Sequence, residues 1–142
     1  MKYFTKQWYK NNQKLLGHKK EQETLKEYLE YYRQIEARLP DSIKVDIHDG
    51  IIIEFGFIDK DFHIKIDSRD CYSSVEKLVF INAEIVESDI DLDNATWLYE
   101  EIYIRQERYE MQILFWSKNH GKSNPGNLGE MTIRFDDVII SS

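Results

Sequence analysis

Cys71 is the only cysteine in the chain, so no internal disulfide can form, which agrees with a reducing compartment. No apolar run approaches the ~18 residues that a membrane span requires, and the N-terminus lacks the uninterrupted apolar stretch of a secretory signal. The expected address is the cytoplasm, with no membrane partner. A basic excess is missing as well: the net charge is −7, and an acidic surface repels a phosphate backbone, which excludes broad nucleic-acid binding. No internal repeat is visible.

What is present is enough for a core. At 142 residues, with 42% hydrophobic and 13% aromatic content, the chain can bury roughly two-thirds of its unfolded surface. Residues 1–142 fit one domain in two layers, 1–39 helical and 40–142 sheet-forming. The seam is Leu39-Pro40. Before it lie nine Lys/Arg against five Glu, a net +4; after it the balance is −11. Such asymmetry implies an electrostatic partner, internal or external.

Phe4, Trp8 and Leu15 recur at helical spacing, Lys2, Lys6, Lys10 and Lys14 form a parallel stripe, and Gly17 offers a C-cap. Leu25, Tyr28, Leu29, Tyr32, Ile35 and Leu39 form a clearer apolar stripe, which Pro40 ends. After Pro40 the period becomes two. Ile43, Val45 and Ile47 alternate with polar residues, Asp49-Gly50 signals a tight hairpin, and Ile51, Ile53, Phe55 and Phe57 continue the pattern. Further strands are expected at Phe62 to Ile66, Leu78 to Val86, Trp97 to Arg105, Tyr109 to Trp116 and Glu130 to Phe135, with Asp59-Lys60 as a turn. Ser117 to Gly129 reads as a connection. The expected fold is α+β, a helical pair packed on an antiparallel meander of about five to seven strands.

Several patterns could carry chemistry. Asp89, Asp91, Asp93 and Glu100 fall at positions 1, 3, 5 and 12 of a calcium loop, although Asn94 replaces the turn glycine and Trp97 supplies no oxygen. His48 and Asp49 with His63 could hold a metal and support a small hydrolase, although no tight spacing signature joins them. Gly121-Lys122-Ser123 fails as a phosphate loop because Trp116 stands where a glycine is required. Cys71 matches no nucleophile turn. Glu100 and Glu101 are adjacent in a strand and must point to opposite faces, so they cannot act as an acid/base couple. Glu101 is expected on one face with Trp97, Tyr99 and Tyr103, where aromatic bodies around a carboxylate can form a recognition surface or a subunit-facing cluster.

The opening Met1-Lys-Tyr-Phe-Thr-Lys-Gln-Trp-Tyr9 resembles the start of a family of uncharacterised proteins from Gram-positive bacteria, which typically open with MKYFTKxWY. His48-Asp49, Trp97-Leu-Tyr-Glu-Glu-Ile-Tyr103, Leu114-Phe-Trp116 and Gly129 to Asp137 look like later blocks of the same family. The resemblance implies no particular activity and no catalytic residues. It places Trp97 to Glu101 in a family strand, which weakens the calcium-loop reading.

The functional expectation is therefore a non-enzymatic binding or interaction module with an acidic surface, without a cofactor. Its partner is a basic protein, as for small immunity proteins that neutralise toxins, or a second copy meeting it through Trp97, Tyr99 and Tyr103. The alternatives are the His48/Asp49/His63 hydrolase and the Asp89 to Glu100 calcium loop.

Overall fold

A computed structural model describes residues 1–12, 18–44, 46–69, 71, 74–118 and 127–141. Helix α1 spans Lys6–Asn12 and α2 spans His18–Ile35, extended by a 3-10 turn at Glu36–Arg38. Gly17, the expected cap of the first helix, lies outside the described residues. The 3-10 turn ends where Leu39 becomes extended, at φ −97° and ψ 140°, the conformation favoured before proline.

Eight antiparallel strands follow: β1 Ile51–Ile58, β2 Asp61–Asp67, β3 Lys77–Ile81, β4 Glu84–Ser88, β5 Thr96–Arg105, β6 Arg108–Trp116, β7 Leu128–Phe135 and β8 Asp137–Ser141. Their order in the sheet is β4-β7-β6-β5-β1-β2-β3-β8. The architecture is α+β, with more strands than the expected five to seven. The excess arises from corners. The Leu78 to Val86 run breaks at Asn82, whose φ of 50° turns the chain, and β7 breaks at Asp136 to release β8. The Asn82 amide donates to Asp136 at 2.8 Å, and Arg108 donates to the Asp136 carboxylate at 2.9 Å and to the Asn82 carbonyl. These bonds hold the two corners together.

At the expected strand of Ile43 to Ile47, the described residues 43, 44, 46 and 47 form no strand, and Val45 lies outside the described residues. Asp41–Ile43 is a 3-10 turn, and Ile43 and Ile47 are both buried in the same core. Asp49-Gly50 does not make a hairpin. Instead Asp49 N–H donates to the Trp97 carbonyl, and Trp97 N–H to Gly50, each at 2.8 Å, so this segment joins β5. Asp59 does make its turn, with φ 55° between β1 and β2, and Gln106 and Glu107 close the β5–β6 hairpin with φ 51° and 65°.

The core gathers Ile52, Phe62, Ile64 and Ile66 from β1 and β2, Leu78 and Phe80 from β3, and Trp97, Ile113, Phe115, Ile133 and Phe135 from β5 to β7. The Phe80 and Phe135 rings meet at 4.9 Å. A sheet folded so that its inner faces share one core needs only partial cover from helices, and α2 packs on α1 and β5. No helix among the described residues is long and apolar enough to cross a membrane.

Candidate functional site

Strand β5 sets the geometry because it changes phase. A bulge between Trp97 and Tyr99 places two residues opposite one, so Trp97 pairs with Phe115 while Tyr99 pairs with Leu114. Trp97 consequently faces the core with Phe115, their rings 5.6 Å apart, whereas Leu98 and Tyr99 join the other face with Leu114. Tyr99, Glu101 and Tyr103 share that second face. The expected four-residue face is therefore three residues, and Trp97 belongs to the opposite one.

Glu101 is fully buried, and its carboxylate accepts the backbone N–H groups of Lys2, Tyr3 and Phe4 at 2.9, 2.9 and 2.8 Å. Tyr103 donates its hydroxyl to the same carboxylate at 2.5 Å. Burial, then the Glu101 hydrogen bond and charge, push the Tyr103 phenol well above its ordinary value. Phe4 stacks on Tyr99 at 5.0 Å, Trp8 meets Tyr99 edge-on at 5.0 Å, and Tyr31 packs on Tyr103 at 5.3 Å. This face is the seat of the N-terminal segment. The MKYF opening and the Glu101 strand are two halves of one contact.

Along β5, pairing with β1 is confined to Ile51 opposite Thr96. Beyond that point the β5 edge is closed by side chains. A ring nitrogen of His48, Nδ1, bonds the Leu98 carbonyl, Ile102 N–H donates to the Tyr28 hydroxyl at 3.0 Å, and Tyr31 donates to the Ile102 carbonyl at 3.0 Å. The phenol of Tyr28 is pushed well above its usual value, first by burial.

Glu100 turns the other way. Its carboxylate accepts the Trp97 indole N–H at 3.0 Å and borders a cavity of about 250 Å³ between α2, the Ile43 to Asp46 segment and β5. Burial raises the Glu100 pKa to about 7, and Asp46 adds to the rise, while the Trp97 bond and His48 oppose it. Glu110, opposite Tyr103, shows the contrast: burial pushes it up, yet hydrogen bonds from Gln112 and Arg134 and the charge of Arg105 hold it below the usual range.

Among the described residues, the edge that β1 turns away from β2 has no such closure. It is bonded through Ile52, whose N–H donates to Ala95 at 2.9 Å and whose carbonyl accepts Asn94 N–H at 3.0 Å. From residue 53 to 58 no described strand pairs on that side. Ile66 N–H bonds Glu76 on the β3 side, so by alternation 61, 63 and 65 bond β1 and their partners 58, 56 and 54 bond back. Phe55 and Phe57 therefore aim their N–H and C=O groups outward. The side chains of Ile53, Phe55, Phe57 and Ile58 are 44, 46, 49 and 62% exposed. Strand β4, which among the described strands pairs with β7 alone, offers a second open edge. Both edges border a groove of about 380 Å³ containing Phe55, Phe57, Phe62, Ile85, Ile90 and Met131. Alternating apolar residues mark β1 as a strand, but only the sheet order reveals which edge it leaves open.

The metal candidates do not converge. His63 lies on β2 between Gly56 and Val79, while His48 sits at β5 against the Tyr99 ring at 4.9 Å, with Asp49 3.5 Å from its Nε2. Asp89 binds Lys6 at 2.5 Å and Glu130 N–H at 2.6 Å, Asp91 accepts Asp93 N–H at 3.0 Å, and Glu100 faces its own cavity. Among the described residues no three His, Cys, Asp or Glu side chains form a metal-holding group.

An α+β molecule with a sealed β5 and an open β1 is the class this geometry defines. The chain belongs to the family described as protein of unknown function DUF4085, whose model matches residues 1–120. No curated protein and no solved structure matches it.

Proposed function

We propose that the protein is a non-enzymatic interaction module that takes up an extended segment of a basic partner along the open edge of β1. One observation carries this reading: four large apolar side chains stand exposed within residues 53–58 of β1, where no described strand pairs along the outer edge. Natural proteins normally blunt such an edge with charge, proline or a covering element, and an exposed apolar patch marks a contact surface. Strand addition supplies main-chain hydrogen bonds for affinity, while alternate side chains enter the groove for specificity.

Charge indicates the partner. Across the groove, residues 84–93 carry Glu84, Glu87, Asp89, Asp91 and Asp93 and no Lys or Arg. Lys6 offsets Asp89, and Arg108 lies 3.7 Å from Glu84. The remaining excess favours a strand alternating apolar residues with Lys or Arg. Neutralisation of a basic protein, the role of small acidic immunity proteins, is the form of this reading that charge and size support.

Panning a displayed library of short peptides against the protein tests it. Enriched sequences should alternate apolar and basic residues, and should lose binding to Phe57→Glu and to the double variant Glu87→Lys, Asp91→Lys. No enrichment, or enrichment indifferent to these changes, contradicts the reading. A dimer by light scattering that Phe57→Glu dissolves would replace the foreign partner with a second copy.

A further inference from the structure

The cavity beside Glu100 is separate from the β1 groove, and its walls differ in chemistry. The groove is apolar with an acidic far rim, whereas this cavity brings one half-buried carboxylate, Glu100, and one carboxylate at the rim, Asp46, against the rings of Tyr28 and Tyr32. Ile43 and Ile102 supply an apolar floor. Lys44 is the cation on the wall, and its Nζ turns to Asp41 at 3.4 Å. At about 250 Å³ the space is smaller than the ~300 Å³ at which sites for drug-sized molecules begin. It fits a head group or a small amine.

An anion entering here meets the carboxyl groups of Glu100 and Asp46, which repel it in their charged form. A cation pairs with the charged form of Glu100, gains from Asp46 at the rim, and can lie against a phenol ring, where the ring quadrupole attracts it. A hard metal ion wants several converging oxygens, which the described residues do not supply. We propose that this cavity binds a small organic cation, an alkylguanidinium or alkylammonium, with Glu100 and Asp46 as counter-charges and Tyr28 and Tyr32 as aromatic walls.

Binding is linked to protons. Burial keeps Glu100 partly protonated near neutrality, with a pKa of about 7. The groups facing it are Tyr28 and Tyr32 from α2, Lys44, Asp46 and His48 from the segment before β1, and Trp97 on its own strand. A cation selects the charged carboxylate, so binding releases a proton and strengthens between pH 6 and pH 8.

Calorimetric titration with agmatine, in buffers of different ionisation enthalpy, provides the test. The expected result is saturable binding with proton release, weakened at least about tenfold by Glu100→Gln, which removes the charge, and by Leu29→Trp, which plugs the mouth. Leu29 is 48% exposed at the cavity rim, so the larger ring does not enter the core. Phe57→Glu should leave agmatine binding unchanged, which separates this site from the peptide groove. Absence of saturable binding in the millimolar range overturns the proposal, as does wild-type affinity in either Glu100→Gln or Leu29→Trp.

Discussion

Strands β1 and β5 part company after Ile51 and Thr96, and their separated edges meet opposite fates. The β5 edge is finished by His48, Tyr28 and Tyr31, each bonding a backbone group of Leu98 or Ile102, with α2 packed alongside. The β1 edge keeps outward N–H and C=O groups at Phe55 and Phe57, and its apolar side chains stay half exposed. Every buried backbone group must find a partner, so the first edge is structure. The second is left to solvent or to another chain, and that makes it the place to look for function.

Breaking the seat of the N-terminal segment should cost most. Glu101→Ala strands three backbone N–H groups, that of Phe4 among buried surroundings, and should destabilise by about 4 kcal/mol in urea unfolding. A loss below about 1 kcal/mol would mean that water replaces the carboxylate. Tyr28→Phe removes the acceptor of the Ile102 N–H at the sealed edge and should cost about 2 kcal/mol, with faster amide exchange at Ile102.

Glu100 responds to pH. Its folded pKa of about 7 stands above the ordinary 4.5, so between those values the folded protein holds a proton that the unfolded chain has released. Stability from this group therefore falls as pH rises from about 4.5 to about 7 and is level above. Glu100→Gln should stabilise by about 2 kcal/mol at pH 8 and by little at pH 4, read from denaturation midpoints. Equal effects at both pH values would place Glu100 in open solvent. The smallest stability effect belongs to the open edge: Phe57→Glu should shift stability by less than about 1 kcal/mol while abolishing peptide binding.

The asymmetry between the edges was only partly legible in the sequence. Alternation along Trp97 to Arg105 correctly separates Glu100 from Glu101, because adjacent strand residues point apart. It misplaces Trp97, since a bulge leaves no mark in a run where every residue suits a strand. Ile43 and Ile47 imitate strand positions although Ile43 ends a 3-10 turn and Ile47 lies outside any strand. The Asn82 and Asp136 corners hide two strands inside what read as one run and one tail. Closure of β5 by Tyr28 and Tyr31 joins residues more than seventy positions apart, and no local pattern encodes it.

Amide hydrogen exchange resolved by residue tests the central contrast most directly. The account predicts slow exchange at Ile102, fast exchange at Phe55 and Phe57, and protection of those two amides when an enriched basic peptide is added. Phe55 and Phe57 amides as protected as Ile102 in the free protein would contradict an open β1 edge.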